Sequence, residues 1–201
     1  MRLRLDGRRA AGVEFIRGGE PEFAESHIET ILAAGSIGST QILQLSGIGP
    51  APLLHRHGIE VAHELPGVGE NLQDHLQLRM AFKVKNVLTL NRLANSWFGK
   101  ARMALEYALF RTGPLTMAPS QLGGFTRSSP DHATPNIEYH VQPLTLDKFG
   151  DPLHRFPAFT ASVCNLRPAS RGHVRIRSAD FRDAPEIQPN YLSTPEDHRA
   201  A

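Results

Sequence analysis

The 201-residue sequence contains one cysteine, Cys164. A single thiol excludes an internal disulfide framework and a cysteine zinc site. Long hydrophobic runs are missing too. The opening Met1-Arg2-Leu3-Arg4-Leu5-Asp6 has no apolar signal segment, and no stretch approaches membrane-spanning length. A soluble, cytoplasmic protein is therefore expected. Nor is there an excess of one charge. The formal net charge is +2, and the densest basic patch, Arg167 to Arg177, holds four arginines with no interleaved aromatics. That patch reads as a solvated strand face, which argues against a nucleic-acid partner. The sequence also has no internal repeat.

What is present supports a core. Hydrophobic residues make up 40% of the chain, enough for one large domain or parts of two. Leu3 and Leu5 alternate with charges before Asp6-Gly7, a strong hairpin signal. Ala11, Val13 and Phe15 return to a turn at Gly18-Gly19, and Ile28 to Ala33 reads as a third strand. A short helix follows Gly35-Ser36, with Ser36 or Ser39 available as its cap. A second runs from Ala51 to His57, with Pro52 in its first turn and Gly58 as its stop. Ile59 to Ala62 is a short strand candidate, and Glu70 to His75 is too polar for a buried strand.

From about residue 78 the pattern changes. Met80, Phe82 and Val84 alternate with Ala81, Lys83 and Lys85. Ser96 to Arg111 reads as the longest helix, with Trp97, Ala101, Leu105, Ala108 and Leu109 at helical spacing and Gly113-Pro114 beyond its end. Ile137-Tyr139-Val141, Phe159-Ala161-Val163 and Val174-Ile176 each mark alternating strands, and Cys164 sits beside the second as a sheet position. Spaced strands with long loops suggest an antiparallel sheet backed by helix.

Three ordered blocks carry a resemblance. The first is Gly35-Ser36-Ile37-Gly38-Ser39-Thr40-Gln41-Ile42-Leu43-Gln44-Leu45-Ser46-Gly47-Ile48-Gly49. The second is Leu65-Pro66-Gly67-Val68-Gly69-Glu70-Asn71-Leu72-Gln73-Asp74-His75. The third is Leu166-Arg167-Pro168-Ala169-Ser170-Arg171-Gly172-His173-Val174, with Ser178-Ala179-Asp180 and Pro189-Asn190-Tyr191-Leu192 after it. In this order they resemble the signatures of the glucose-methanol-choline (GMC) oxidoreductases, flavoenzymes that oxidise alcohols and include choline-dehydrogenase-like members. Thr40 departs from the proline common at its position.

The resemblance implies an α+β or α/β protein. Residues 1–77 would be part of an FAD-binding domain, a β-meander with short helices. Residues 78–185 would be an antiparallel-sheet substrate domain, and residues 186–201 a return segment toward the first. The cofactor implied is FAD and the partner a small-molecule primary alcohol; the electron acceptor is left open. The family's G-x-G-x-x-G turn has no counterpart in this sequence, and its catalytic His lies beyond the Pro-Asn-Tyr-Leu block. The expectation is therefore a central, inactive fragment with no catalytic residue of its own. The alternative is a non-catalytic small-molecule-binding module derived from the substrate domain.

Within that frame Gly35 and Ser36 are cofactor-binding candidates, either as a wall against the adenosine part of FAD or as a tight turn needing glycine. Asn71, Asp74 and His75 are candidates at the flavin edge of the domain junction, or a loop in which Asn caps a turn and Asp pairs with His. Gln121 is a substrate-binding candidate or a surface loop residue. Choline-using members tend to carry Glu there, and a neutral amide supplies no charge to a quaternary ammonium. No metal site is expected: His55 and His57, at i and i+2, do not share a helix face, and no carboxylate stands at a zinc-like offset. Ser36 and Ser46 lack the G-x-S-x-G context of a nucleophile elbow.

Overall fold

The computed structural model describes residues 1–118, 120–148 and 150–201. The chain divides into two compact units. One comprises Met1–Asp74 and Ala169–Thr194; the other comprises His75–Pro168 and Pro195–Ala201.

The first unit opens with an antiparallel meander of β1 (Arg2–Asp6), β2 (Arg9–Arg17) and β3 (Glu20–Glu25). The hairpin turn falls on Gly7-Arg8, one residue later than the Asp6-Gly7 signal. A register shift between Arg4 and Leu5 lets Asp6 pair with Arg9, and Gly7 takes the left-handed conformation at φ 57°. The third strand is the charged Glu20–Glu25 segment, not Ile28 to Ala33. Gly18-Gly19 reverses the chain at once, and β3 pairs with β2 from Arg17↔Glu20 to Gly12↔Glu25. Beyond it Ile28 and Ile31 are exposed and unladdered.

Next come α1 (Gly35–Leu45), β4 (Ile48–Gly49), α2 (Ala51–Arg56), β5 (His63–Glu64) and β6 (Glu70–Leu72). Ala34, not Ser36 or Ser39, occupies the N-cap of α1, and no side chain caps that end. The strand sought at Ile59 to Ala62 lies slightly later. Ala62 and His63 both donate their N–H to the Gly47 carbonyl, which places His63–Glu64 parallel to β4. Leu45, Leu53, Leu54 and Ile176 form the core, with Ile59, Val61 and Phe181 against it.

The second unit is built on an antiparallel sheet in the order β7-β10-β9-β8, where β7 is Gln77–Lys83, β8 Leu122–Thr126, β9 Ile137–Gln142 and β10 Ala158–Asn165. Between β7 and β8 it carries the helices α3 (Leu90–Ala94) and α4 (Trp97–Phe110). Ser96 caps α4 by accepting from the Gly99 N–H, and Arg111 ends it in the left-handed conformation. Only Gly99 and Met103 of α4 are buried.

After β10 the chain returns to the first unit. There β11 (Gly172–Arg175) pairs with β6 on one side and β12 (Glu186–Gln188) on the other. Ala169 to Thr194 packs with the first unit, where β6 and β12 supply the ladder for β11. The last helix, α5 (Pro195–Ala200), belongs to the second unit.

Each unit contains a fully buried carboxamide that replaces a local hydrogen-bond ladder. In the first, Gln44 donates from Nε2 to the carbonyls of Val68 (3.2 Å) and Val174 (3.1 Å) and accepts at Oε1 from Ile176 N–H (2.9 Å). In the second, Asn91 donates from Nδ2 to the carbonyls of Thr145 (3.0 Å) and His154 (2.9 Å), and its Oδ1 accepts from Thr145 N–H (2.8 Å). Removing such a group strands several buried backbone partners at once. Gln44→Leu and Asn91→Leu should therefore each cost about 2–4 kcal/mol, read as a lower midpoint in urea unfolding. A loss below about 0.5 kcal/mol would place those backbone groups in contact with water.

Candidate functional site

The first unit brings parts of all three sequence blocks together. Gln44, near the end of α1, holds Val68 of the second block and Val174 of the third. Val174 N–H donates to the Gly69 carbonyl at 2.7 Å, and Arg175 Nη2 reaches Glu70 Oε1 at 2.9 Å. Gly69, at φ +88°, packs so closely on the Val174 carbonyl and the Gln44 amide that a Cβ would overlap both. Glycine is required there for space as well as conformation.

Gly35 is different. It has φ +73°, and no atom lies within 4 Å of where its Cβ would stand. Gly35 and Ser36 are exposed at the start of α1, whose first-turn N–H groups have no side-chain cap. Thr40, at the position of the common proline, donates its hydroxyl to the Ser36 carbonyl at 2.7 Å and holds this turn. From Ser36 to Gln44 the helix rises about 12 Å. The two ends of the site are thus joined by one rigid element but not adjacent, an arrangement that an extended ligand could touch and a compact one could not.

At the other end Asn71 is exposed with φ 62°, in the left-handed region that asparagine tolerates best among residues with a side chain. Asp74 accepts a hydrogen bond from the Tyr191 hydroxyl. That bond, together with partial burial and the negative charge of Asp74, pushes the Tyr191 phenol up to about 12. The motif Pro189-Asn190-Tyr191-Leu192 by itself gives no sign of this partnership between Tyr191 and Asp74. Asp74 does not pair with His75, as one of the sequence readings had it. His75 belongs to the second unit, where its Nε2 donates to the Leu166 carbonyl at 3.1 Å. Gln121 is exposed just before β8 and donates from Nε2 to the Ala118 carbonyl at 2.6 Å.

Residues 2–77 match the family described as GMC oxidoreductase. Over that segment the chain carries the GMC oxidoreductase pattern. It is 41% identical over 196 residues to the oxygen-dependent choline dehydrogenase of Pectobacterium atrosepticum, covering 98% of this chain and 35% of that protein. It is 40% identical over 198 residues to the enzyme of the same name from Serratia proteamaculans, covering 98% of this chain and 36% of that protein. The chain thus spans roughly a third of the length of these curated relatives.

Among solved structures, an FAD-dependent oxidoreductase from Chaetomium thermophilum superposes with a TM-score of 0.81 at 26% identity, over 99% of this chain and 41% of that one. A formate oxidase shares the fold at a TM-score of 0.88 and 24% identity, over 99% of this chain and 40% of that one. The mixed α/β architecture with antiparallel sheets is that of GMC proteins. Among the described residues no helix is long and apolar enough to cross a membrane.

The Asp74–Tyr191 bond gives a direct test. A phenol raised from 10.0 to about 12 holds its proton more tightly in the folded state. Its stabilising contribution is complete below pH 10 and disappears as pH rises through about 12. Ultraviolet titration of the three tyrosines should show one late phenolate step, absent in Tyr191→Phe. A wild-type titration without that step would mean the bond does not persist in solution.

Proposed function

We propose that this chain contributes part of the cofactor wall and the substrate sheet of an FAD-dependent oxidoreductase acting on primary alcohols. The observation that carries the reading is the convergence of the three GMC blocks on Gln44, with the open turn at Gly35 at the far end of the same helix. The residues present fit the cofactor in a specific sense. An uncapped helix start with free N–H groups and no Cβ at Gly35 suits close approach of a polar, extended ligand. When bound, FAD supplies the acceptor for the hydride that leaves the alcohol carbon.

Gly35 and Ser36 are assigned to the adenosine side of the cofactor, and Asn71 to the opposite end of the site. Asp74 acts by position: its carboxylate holds the loop through Tyr191. His75 is left out of this assignment because its Nε2 proton is committed to the Leu166 carbonyl within the second unit. No side chain of this sequence is assigned as the base that takes the hydroxyl proton. The chain contains no G-x-G-x-x-G turn, so we assign catalysis to a longer protein, with the 201-residue chain inactive alone.

The relatives named choline dehydrogenase support an alcohol substrate, but Gln121 argues against a required cation. A carboxylate about 4 Å from an ammonium contributes roughly 4 kcal/mol at an effective dielectric near 20. The Gln121 amide has no net charge, and its Nε2 is engaged by Ala118. A neutral primary alcohol is the better match.

In a full-length GMC relative, the substitution equivalent to Gly35→Val should reduce FAD affinity at least about tenfold, read as flavin content after gel filtration. Unchanged content in a normally folded variant would remove Gly35 from the cofactor wall. The 201-residue chain mixed with FAD and a primary alcohol should show no dye reduction. Turnover would overturn its assignment as catalytically incomplete.

A further inference from the structure

The buried face of the second unit's sheet carries a group of side chains that the proposed alcohol chemistry does not use. Cys164 on β10 stands opposite Glu138 on β9 and opposite Gln77 on β7. The first pairing sets Sγ 3.9 Å from Glu138 Oε2. His75 lies two residues before Gln77, just ahead of β7. A ring nitrogen of His75, a carboxylate oxygen of Glu138 and Sγ of Cys164 all lie within 4.8 Å of one another. Three adjacent segments of backbone thus deliver three different metal-ligating groups to one end of the sheet.

We propose that His75, Glu138 and Cys164 form a binding site for a divalent transition metal ion of the zinc type. The ligand chemistry sets the class. A thiolate with an imidazole suits a borderline-soft ion, whereas magnesium and calcium require oxygen ligands. Metal–ligand bonds of about 2.0 Å to N and O and 2.3 Å to S place ligand atoms about 3.3–3.5 Å apart around a tetrahedron. The Sγ to Oε2 separation needs only a slight contraction to reach that range. His75 is exposed and supplies the remaining movement.

The surroundings favour a ligand role for His75. A carbonyl oxygen can only accept, so the bond from Nε2 to Leu166 fixes the proton on Nε2 and leaves the lone pair on Nδ1. Metal-bound histidines are commonly oriented in this way by a backbone carbonyl on the other ring nitrogen. Cys164 is buried at 2% exposure and faces a carboxylate. Burial first, then the Glu138 charge, pushes its thiol up. On binding, the S–H proton leaves to solvent and the Sγ lone pair forms the metal bond. The fourth position opens to solvent on the exposed His75 side and takes a water. His140 Nε2, 3.3 Å from Glu138 Oε1, orients the carboxylate from behind. A single cysteine excludes an all-cysteine zinc site, but not this mixed one.

Cobalt(II) chloride is the probe. The chain, stripped with chelator and kept reduced, should bind one equivalent, with visible d–d bands of a four-coordinate ion and a near-ultraviolet thiolate-to-cobalt charge-transfer band. Zinc chloride should displace it. His75→Gln, Glu138→Gln and Cys164→Ser should each weaken binding at least about tenfold, and Cys164→Ser should abolish the charge-transfer band. His57→Gln, outside the cluster, should leave both signals intact. Absence of the charge-transfer band in the wild type overturns the site. So does a band whose affinity is unchanged in His75→Gln. That exposed position decides the question even where the buried variants fail to fold.

Discussion

The Gln44 carboxamide is the constraint on which the first unit depends. It is fully buried, and its two polar atoms serve three backbone groups from segments more than twenty residues away from it in sequence. A buried amide left with unmade hydrogen bonds is expensive, so this one specifies where the Val68 loop and the β11 strand must run. Once they run there, Gly69 cannot have a side chain, Glu70 meets Arg175, and β6 becomes a strand despite its polarity. The second unit repeats the device with Asn91, which ties α3 to Thr145 and His154. In both units a helix carries the amide, and the loop it holds is long and irregular. Loops of that kind have few ladder bonds of their own.

The division of labour among the motif residues follows from this. Gly69, Asp74 and Tyr191 act on the protein itself, by close packing or by hydrogen bonds that connect separated segments. Gly35, Ser36 and Asn71 make no comparable internal contact and are exposed. Motifs of one family therefore contain two physically distinct classes of residue. Spacing in the sequence does not separate them, but burial and bonding do.

The two units were legible in the sequence to different depths. The helix Trp97–Phe110 could be read almost to the residue because local signals agree: Ser96 caps it, apolar residues recur at helical spacing, and Gly113 follows its end. The second helix was legible for the same reason, with Pro52 at its start and Gly58 after it. The three family blocks were also readable, and with them the family. The charged strand Glu20–Glu25 was not, because its alternation is weak and its place is set by pairing with β2. The run Ile28 to Ala33 looked like a strand by composition, yet no neighbour pairs with it. Strand identity is a property of the partner as much as of the segment. The roles of Gln44 and Tyr191 were invisible for a related reason: Val174 and Ile176 for the first, and Asp74 for the second, lie more than a hundred residues away.

The largest departure lies in the sheet of the second unit. Period-two alternation correctly divides β10 into Phe159, Ala161 and Val163 on one side and Ala158, Thr160, Ser162 and Cys164 on the other. Composition alone would bury the first set. The structure buries the second, leaving the apolar set only partly covered. What makes this tolerable is partners. Thr160 donates its hydroxyl to the Leu144 carbonyl at 2.8 Å, and Gln142, opposite it on β9, donates to Ser120 Oγ at 3.2 Å. The loop that follows β9 thus lies over the polar face, held down by Asn91. A polar sheet face covered by a hydrogen-bonding loop collects groups that an apolar core would exclude. Cys164 and Glu138 face each other on that side through the register of β10 with β9, and a cation is the simplest species that would satisfy both.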